Sequence, residues 1–128
     1  METETGYGQM PDIIYFGESV YSLFTLPLAQ WLAAQPEPFI FDQRTLTCKR
    51  GYVGKWAMQD DTLWLIGLYA WRDGKNTGVP ALFEGVREVM AEWYSGPLVV
   101  EPTASSIREG EYPKPKMLTV TKGRVTET

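Results

Sequence analysis

Histidine is absent from the 128 residues, which removes the commonest general base and the commonest nitrogen ligand for metals. Cysteine occurs once, as Cys48, so an internal disulfide framework and a cysteine-rich zinc site are excluded. No run approaches the ~18 apolar residues of a membrane-spanning helix. The opening METETGYGQMPD is polar and acidic, and reads as neither a secretory nor a transit peptide. Basic charge is also scarce: 12 Lys and Arg stand against 16 Asp and Glu, a net charge of -4. That balance suits a basic protein partner and disfavours nonspecific nucleic-acid binding. Together the absences describe a cytoplasmic globular protein with no cofactor, no nucleic acid and no membrane among its expected partners.

Apolar residues make up 44% of the chain and aromatics 13%, with five Trp, seven Tyr and five Phe. That is ample for a core and rules out general disorder. The length fits one domain, which should bury roughly two-thirds of the surface its unfolded chain exposes. Residues 1–11 read as a flexible arm, 12–125 as the globular domain and 126–128 as a tail.

Turn residues and apolar periodicity set out the elements. Asp12 to Phe16 reads as a strand, Gly17-Glu18 as its turn and Ser19 to Phe24 as the hairpin partner. Pro27 opens a short helix, because its missing N–H costs nothing in a first turn. Leu28, Trp31 and Leu32 form one apolar stripe, and Pro36 and Pro38 stop it. Phe39 to Phe41 and Thr45 to Cys48 are weaker strand signals. GYVGKWAM and LWLIGLYAW then form a hairpin about Asp60-Asp61. Its register pairs Met58 with Leu63, Trp56 with Leu65, Gly54 with Gly67 and Tyr52 with Tyr69. One face then carries Tyr52, Trp56, Met58, Leu63, Leu65, Tyr69 and Trp71. Val53, Ala57, Trp64, Ile66 and Leu68 lie opposite with Lys55. The second strand is apolar on both faces and so should be covered on both. Gly54 opposite Gly67 marks a bend or bulge where the sheet curls.

Arg72 to Gly78 reads as a loop and Val79 to Phe83 as one helical turn. Residues 86–94 fit both a helix face and a strand face. The Ser95-Gly96 turn before Leu98-Val99-Val100 tips the balance toward a hairpin. Thr103 to Lys116 is polar with two prolines and reads as an exposed connection. Met117 to Thr121 is a closing strand, turned by Lys122-Gly123. The fold class expected is α+β, mostly antiparallel, with a strongly curved sheet and one short helix.

The series PLAQWL, RGYVGKW, LWLIGLY, LF, MAEWYSGPLVV and LTVTKGRV resembles a family of small bacterial proteins. That family pairs an RGY-x-x-x-W strand with a leucine-rich strand, then an A-x-W-x-x-G-x-L hairpin and a closing strand with a glycine turn. The similarity spans most of Asp12 to Val125 and rests on structural residue types. It supports the strand reading of 88–94. The sequence departs from the pattern at Pro102-Thr103-Ala104, where a glycine turn would follow the Leu98 strand. What the resemblance implies is an immunity-like or accessory protein of bacterial competition loci.

Each candidate for chemistry has a plainer structural reading. Cys48 beside Lys49-Arg50 could hold a thiolate, but without histidine it reads as a strand cysteine. Asp60-Asp61 could bind a hard cation with Glu18 or Glu92; as neighbours on a hairpin tip they read first as turn residues. DGKNTG lacks the order of a phosphate-binding loop. Glu88 and Glu92 beside Trp93 could form an acid pair for glycoside cleavage, or simply face solvent. Arg44, Lys49, Arg50 and Lys55 form an acid-free basic stretch that reads as a guarded strand edge. Within it, Arg50 could clamp an anion or stack on Trp71. Trp71, Trp93 and Tyr94 lie near element ends and are the aromatics expected at the surface.

The function expected is a non-enzymatic binding protein: an immunity or inhibitor protein that covers a functional surface of a toxin or effector with a basic cleft. Trp71, Trp93, Tyr94, Arg50, Glu92, Asp60 and Asp61 are its expected contact residues. A homodimer through a sheet edge is a further option. One alternative is a small-molecule or carbohydrate binder or hydrolase using Glu88, Glu92 and the Trp residues. Another is a phage or mobile-element accessory protein that blocks a host factor.

Overall fold

The computed structural model describes residues 11–36, 52–72, 75–83, 85–102 and 116–127. In chain order the elements are β1 (Asp12–Phe16), β2 (Ser19–Leu23), α1 (Pro27–Ala33), β3 (Tyr52–Gln59), β4 (Thr62–Arg72), β5 (Lys75–Thr77), α2 (Val79–Leu82), β6 (Val89–Met90), β7 (Gly96–Pro102), β8 (Lys116–Thr121) and β9 (Arg124–Glu127). The β1–β2 and β3–β4 hairpins form at the expected turns, and Lys122-Gly123 turns β8 into β9. Gly17 (φ 63) takes the first central position between β1 and β2. Asp60 (φ 51) with Asp61 (φ 58), and Lys122 (φ 50) with Gly123 (φ 83), make two-residue loops with both central residues at positive φ. That is the type I′ signature, whose twist matches the flanking strands.

The curved sheet expected from the sequence is a closed barrel. Seven strands follow the ring β3-β1-β2-β7-β8-β9-β4, and β4 returns to β3. An odd number of strands cannot alternate in direction all the way round, so one neighbouring pair must be parallel. That pair is β1 with β3, registered Ile13↔Lys55 to Phe16↔Met58. The seam between β4 and β9 is short, a single pairing of Thr62 with Arg124. The remaining free edge of β4 is taken by β6 and β5. Closure removes the long open edge that a curved sheet would leave.

Ile14, Leu23, Trp56, Leu63, Leu65, Leu98, Val100 and Val120 fill the interior, all fully or almost fully buried. Helix α1 adds Leu28, buried completely, with Trp31 and Leu32 half-buried beside it, as the stripe predicts. The Trp93 indole N–H donates to the Pro27 carbonyl at 2.9 Å, and Gln30 donates to the Ser95 carbonyl at 3.0 Å. Both bonds tie α1 to the segment that follows β6. Trp31, Phe83 and Trp93 pack there, with the Phe83 and Trp93 rings stacked at 18° and 5.4 Å.

Four expectations are corrected. The β3–β4 register holds from Gln59↔Thr62 to Trp56↔Leu65, then slips by one, giving Lys55↔Gly67, Gly54↔Leu68 and Tyr52↔Ala70. The bulge falls where the paired glycines suggest a bend. Because side chains alternate, the slip exchanges faces. Leu68 and Ala70 turn inward, and Tyr69 and Trp71 turn outward. Second, β4 is not covered on both faces, since Tyr69 is 58% exposed; on β3 Tyr52 and Trp56 are buried on one side and Val53 and Ala57 on the other, with Lys55 exposed between the latter two. Third, residues 86–94 do not form a hairpin with the Leu98 strand: Val89 and Met90 pair with Leu65 and Trp64 of β4, and β7 pairs with β2 and β8. Fourth, the stretch read as a loop after Arg72 contains β5, paired with the end of β4. At the C-terminal end, Arg124–Glu127 form β9. The strand signals at 39–41 and 45–48 lie outside the described residues.

Candidate functional site

Among the described residues, a carboxylate lies buried in the barrel at Asp12, which the sequence pattern marks only as the first residue of a strand. Asp12 is fully buried. Its Oδ1 accepts the Gly54 backbone N–H at 2.9 Å, and its Oδ2 accepts the Trp56 indole N–H at 3.0 Å. The parallel register of β1 on β3 creates these contacts, which no local pattern announces. Gly54 is required by the close approach: a Cβ there would stand 2.8 Å from Trp56 Nε1 and 3.0 Å from Asp12 Oδ2. Trp56 in turn packs against Trp93 at 6.3 Å, linking Asp12 to the aromatic cluster under α1.

The expected contact residues separate into distinct places. Asp60 and Asp61 form the exposed β3–β4 tip, and the turn holds itself together through the Thr62 hydroxyl, which donates to the Asp60 carbonyl at 3.2 Å. The Asp61 carbonyl accepts from Val125 N–H at 2.8 Å, and the Gly123 carbonyl accepts from Leu63 N–H at 2.8 Å. Leu63 accepts from Ala91 N–H at 2.9 Å, and Gly123 N–H donates to the Tyr94 carbonyl at 2.9 Å. These backbone bonds place the 60–61, 91–94 and 122–123 turns side by side. Glu92 is exposed on the second of them, with Lys122 and Arg124 exposed nearby. Glu18 sits on the β1–β2 tip, brought beside the aspartate tip by the Phe16↔Met58 register. The acids on these turns do not converge on a cation. Among the described residues, no group of three or more His, Cys, Asp or Glu is placed to hold a metal ion.

The aromatics behave differently from one another. Tyr94 is only 4% exposed, which corrects its expected surface position. Its hydroxyl donates to the Pro97 carbonyl, and burial raises its pKa above the ordinary tyrosine value, with the Thr25 hydrogen bond opposing. Trp93 is half-buried, packed on the core with its N–H engaged at Pro27. Trp71 is partly buried on the outer wall, 6.4 Å from the exposed ring of Tyr69. It stands ten positions along β4 from Asp61, roughly 30 Å of strand. Tyr69 is exposed although plain alternation puts it on the face of Trp56 and Leu65, because the bulge between Lys55 and Trp56 shifts the register by one residue. Glu88 and Glu92 are both exposed, and Lys55 is exposed on β3. Arg50 and Cys48 lie outside the described residues.

No family model, no curated protein and no solved structure matches the chain. No helix among the described residues is long and apolar enough to cross a membrane.

Proposed function

We propose that this chain is a non-enzymatic binding protein of the immunity or inhibitor type, docking its acidic turn end on a basic surface of a protein partner. The observation that carries the reading is the Asp60-Asp61 tip. Both residues hold positive φ on an exposed two-residue turn, where Asn-Gly would fit with less strain. Two adjacent carboxylates on one exposed tip repel each other. Glu18 and Glu92 on neighbouring turns extend the negative field, with Lys122 and Arg124 interrupting it. Exposed acids of this kind accelerate encounter with a basic partner and set the salt dependence of docking. A standard interface takes ~800 Å² from each partner, about a tenth of the 8159 Å² surface of this protein. Occlusion of that size needs no reaction centre. The resemblance to immunity-like proteins favours a toxin or effector as the partner.

The test is a pull-down from the native host with mass spectrometry, followed by association kinetics on whatever is captured. The proposal expects a basic protein, with association slowing at least tenfold when Glu18→Gln, Asp60→Asn, Asp61→Gly and Glu92→Gln are combined. Its salt dependence should flatten in the same variant. Equal capture by the neutralised protein, or retention of a metabolite and no protein, defeats the reading.

A further inference from the structure

A cavity of about 490 Å³ opens at the end of the barrel where β1 and β7 finish and β2 and β8 begin. Phe16, Tyr21, Val100 and Leu118 line it, each sharing the inward face of its strand with a core residue. One inward step further along the same four strands lie Ile14, Leu23, Leu98 and Val120, all buried to 1% or less, so the floor is sealed. Phe16 and Tyr21 meet edge to face at 5.1 Å and make an aromatic wall. Lys116 is the next inward position on β8 beyond Leu118 and stands at the lip, its Nζ 5.6 Å from the Tyr21 ring centroid. Met117, 64% exposed, forms the outer lip. Among the described residues the result is a blind apolar cup with Lys116 at its mouth and no acid in its lining.

We infer that this cup binds a small amphipathic carboxylate, its chain against Phe16, Tyr21, Val100 and Leu118 and its head at Lys116. The volume falls within the ~300–1,000 Å³ of ordinary ligand pockets, and barrel mouths are one of their usual places. The wall chemistry asks for an apolar body. The Lys116 ammonium asks for one anionic group, since a cationic head would be repelled and a second charge would meet only hydrocarbon among the described lining residues. Glu18 on the adjoining tip and Glu101 on β7 belong to the same end of the barrel, so the preference for an anion rests on Lys116. This site is independent of the protein-docking proposal: a ligand here neither requires nor excludes a partner at the turns.

Decanoate, kept monomeric, is the probe, with decanol as its uncharged counterpart, titrated into the full chain by calorimetry and methyl-resolved NMR. Saturable one-to-one binding is expected, with shifts at the Val100, Leu118 and Met117 methyls. Affinity should rise roughly fourfold per methylene from hexanoate upward until the cup is full. Lys116→Met should reduce decanoate affinity to that of decanol while leaving decanol unchanged. Leu118→Trp should block both by filling the cup. No saturable binding of decanoate at millimolar concentration, shifts confined to other parts of the barrel, or unchanged selectivity in Lys116→Met would each overturn the inference. The Lys116 variant alters an exposed side chain, so that arm stands even if the Leu118 variant does not fold.

Discussion

Inside the barrel the Trp56 indole N–H donates to Asp12 Oδ2 at 3.0 Å, while Gly54 N–H occupies Oδ1 of the same carboxylate. The contact spans 44 residues of chain and fastens β1 to β3, the one parallel pair in the ring. Truncating the carboxylate leaves two buried donors without that acceptor. Asp12→Ala should cost roughly 2–5 kcal/mol in urea unfolding. Asp12→Asn should recover only part of this, because its amide must face one of the two donors. An alanine variant as stable as the parent would show that the carboxylate does not hold the barrel.

The aspartate tip should separate stability from docking. Asp60→Asn with Asp61→Gly relieves positive-φ strain and charge repulsion, so the unfolding free energy should rise by about 1 kcal/mol. Capture of a basic partner should weaken in the same protein. A stabilised variant with undiminished capture would leave the turn a purely structural feature.

Gly123 tests the seam. Its φ is +83, and an added Cβ would stand 2.7 Å from the Ala91 carbonyl oxygen. Backbone cannot yield as the tip of a side chain can. Gly123→Ala should therefore destabilise by about 2–4 kcal/mol and loosen the 91–94 turn, visible as faster amide exchange at Ala91 and Tyr94. A loss below about 1 kcal/mol would mean that the turns are not locked together as described.

Tyr94 gives a pH signature. Its folded pKa is raised by burial, so the native state holds the phenolic proton more tightly than the unfolded chain does. Its contribution is fully present below the unfolded value of about 10 and is lost as pH rises through the folded value. Tyr94→Phe removes the hydrogen bond to the Pro97 carbonyl and should cost about 1 kcal/mol at neutral pH. The gap between parent and variant should then shrink above pH ~10. A gap that stays constant to high pH would contradict the burial of the hydroxyl.

Local chemistry was legible wherever one short stretch of chain decides the outcome. Gly17-Glu18, Asp60-Asp61 and Lys122-Gly123 announce their turns because only certain residues tolerate positive φ there. Pro27 and the stripe from Leu28 to Leu32 announce α1 because helical spacing puts those residues on one face. The paired glycines gave warning of a bulge near Gly54, but not of which strand would carry the extra residue. Alternation alone therefore puts Tyr69 on the same face as Trp56, whereas the bulge turns it outward.

Ring closure, the parallel seating of β1 on β3 and the fate of Asp12 depended on partners far away in the chain. An aspartate at a strand start carries no mark of whether an indole will meet it 44 residues later. Val89 and Met90 carry no mark of pairing with β4 rather than β7. The amino-acid order determined the hairpins, the helix and the apolar faces through dihedral preference and side-chain period. Tertiary structure alone decided that those faces close on themselves, since parity of strand direction and the packing of one interior belong to the assembled ring. The same closure made the cup at Lys116 and set the acids on adjacent turns, because both are products of strand ends brought together from separate parts of the chain.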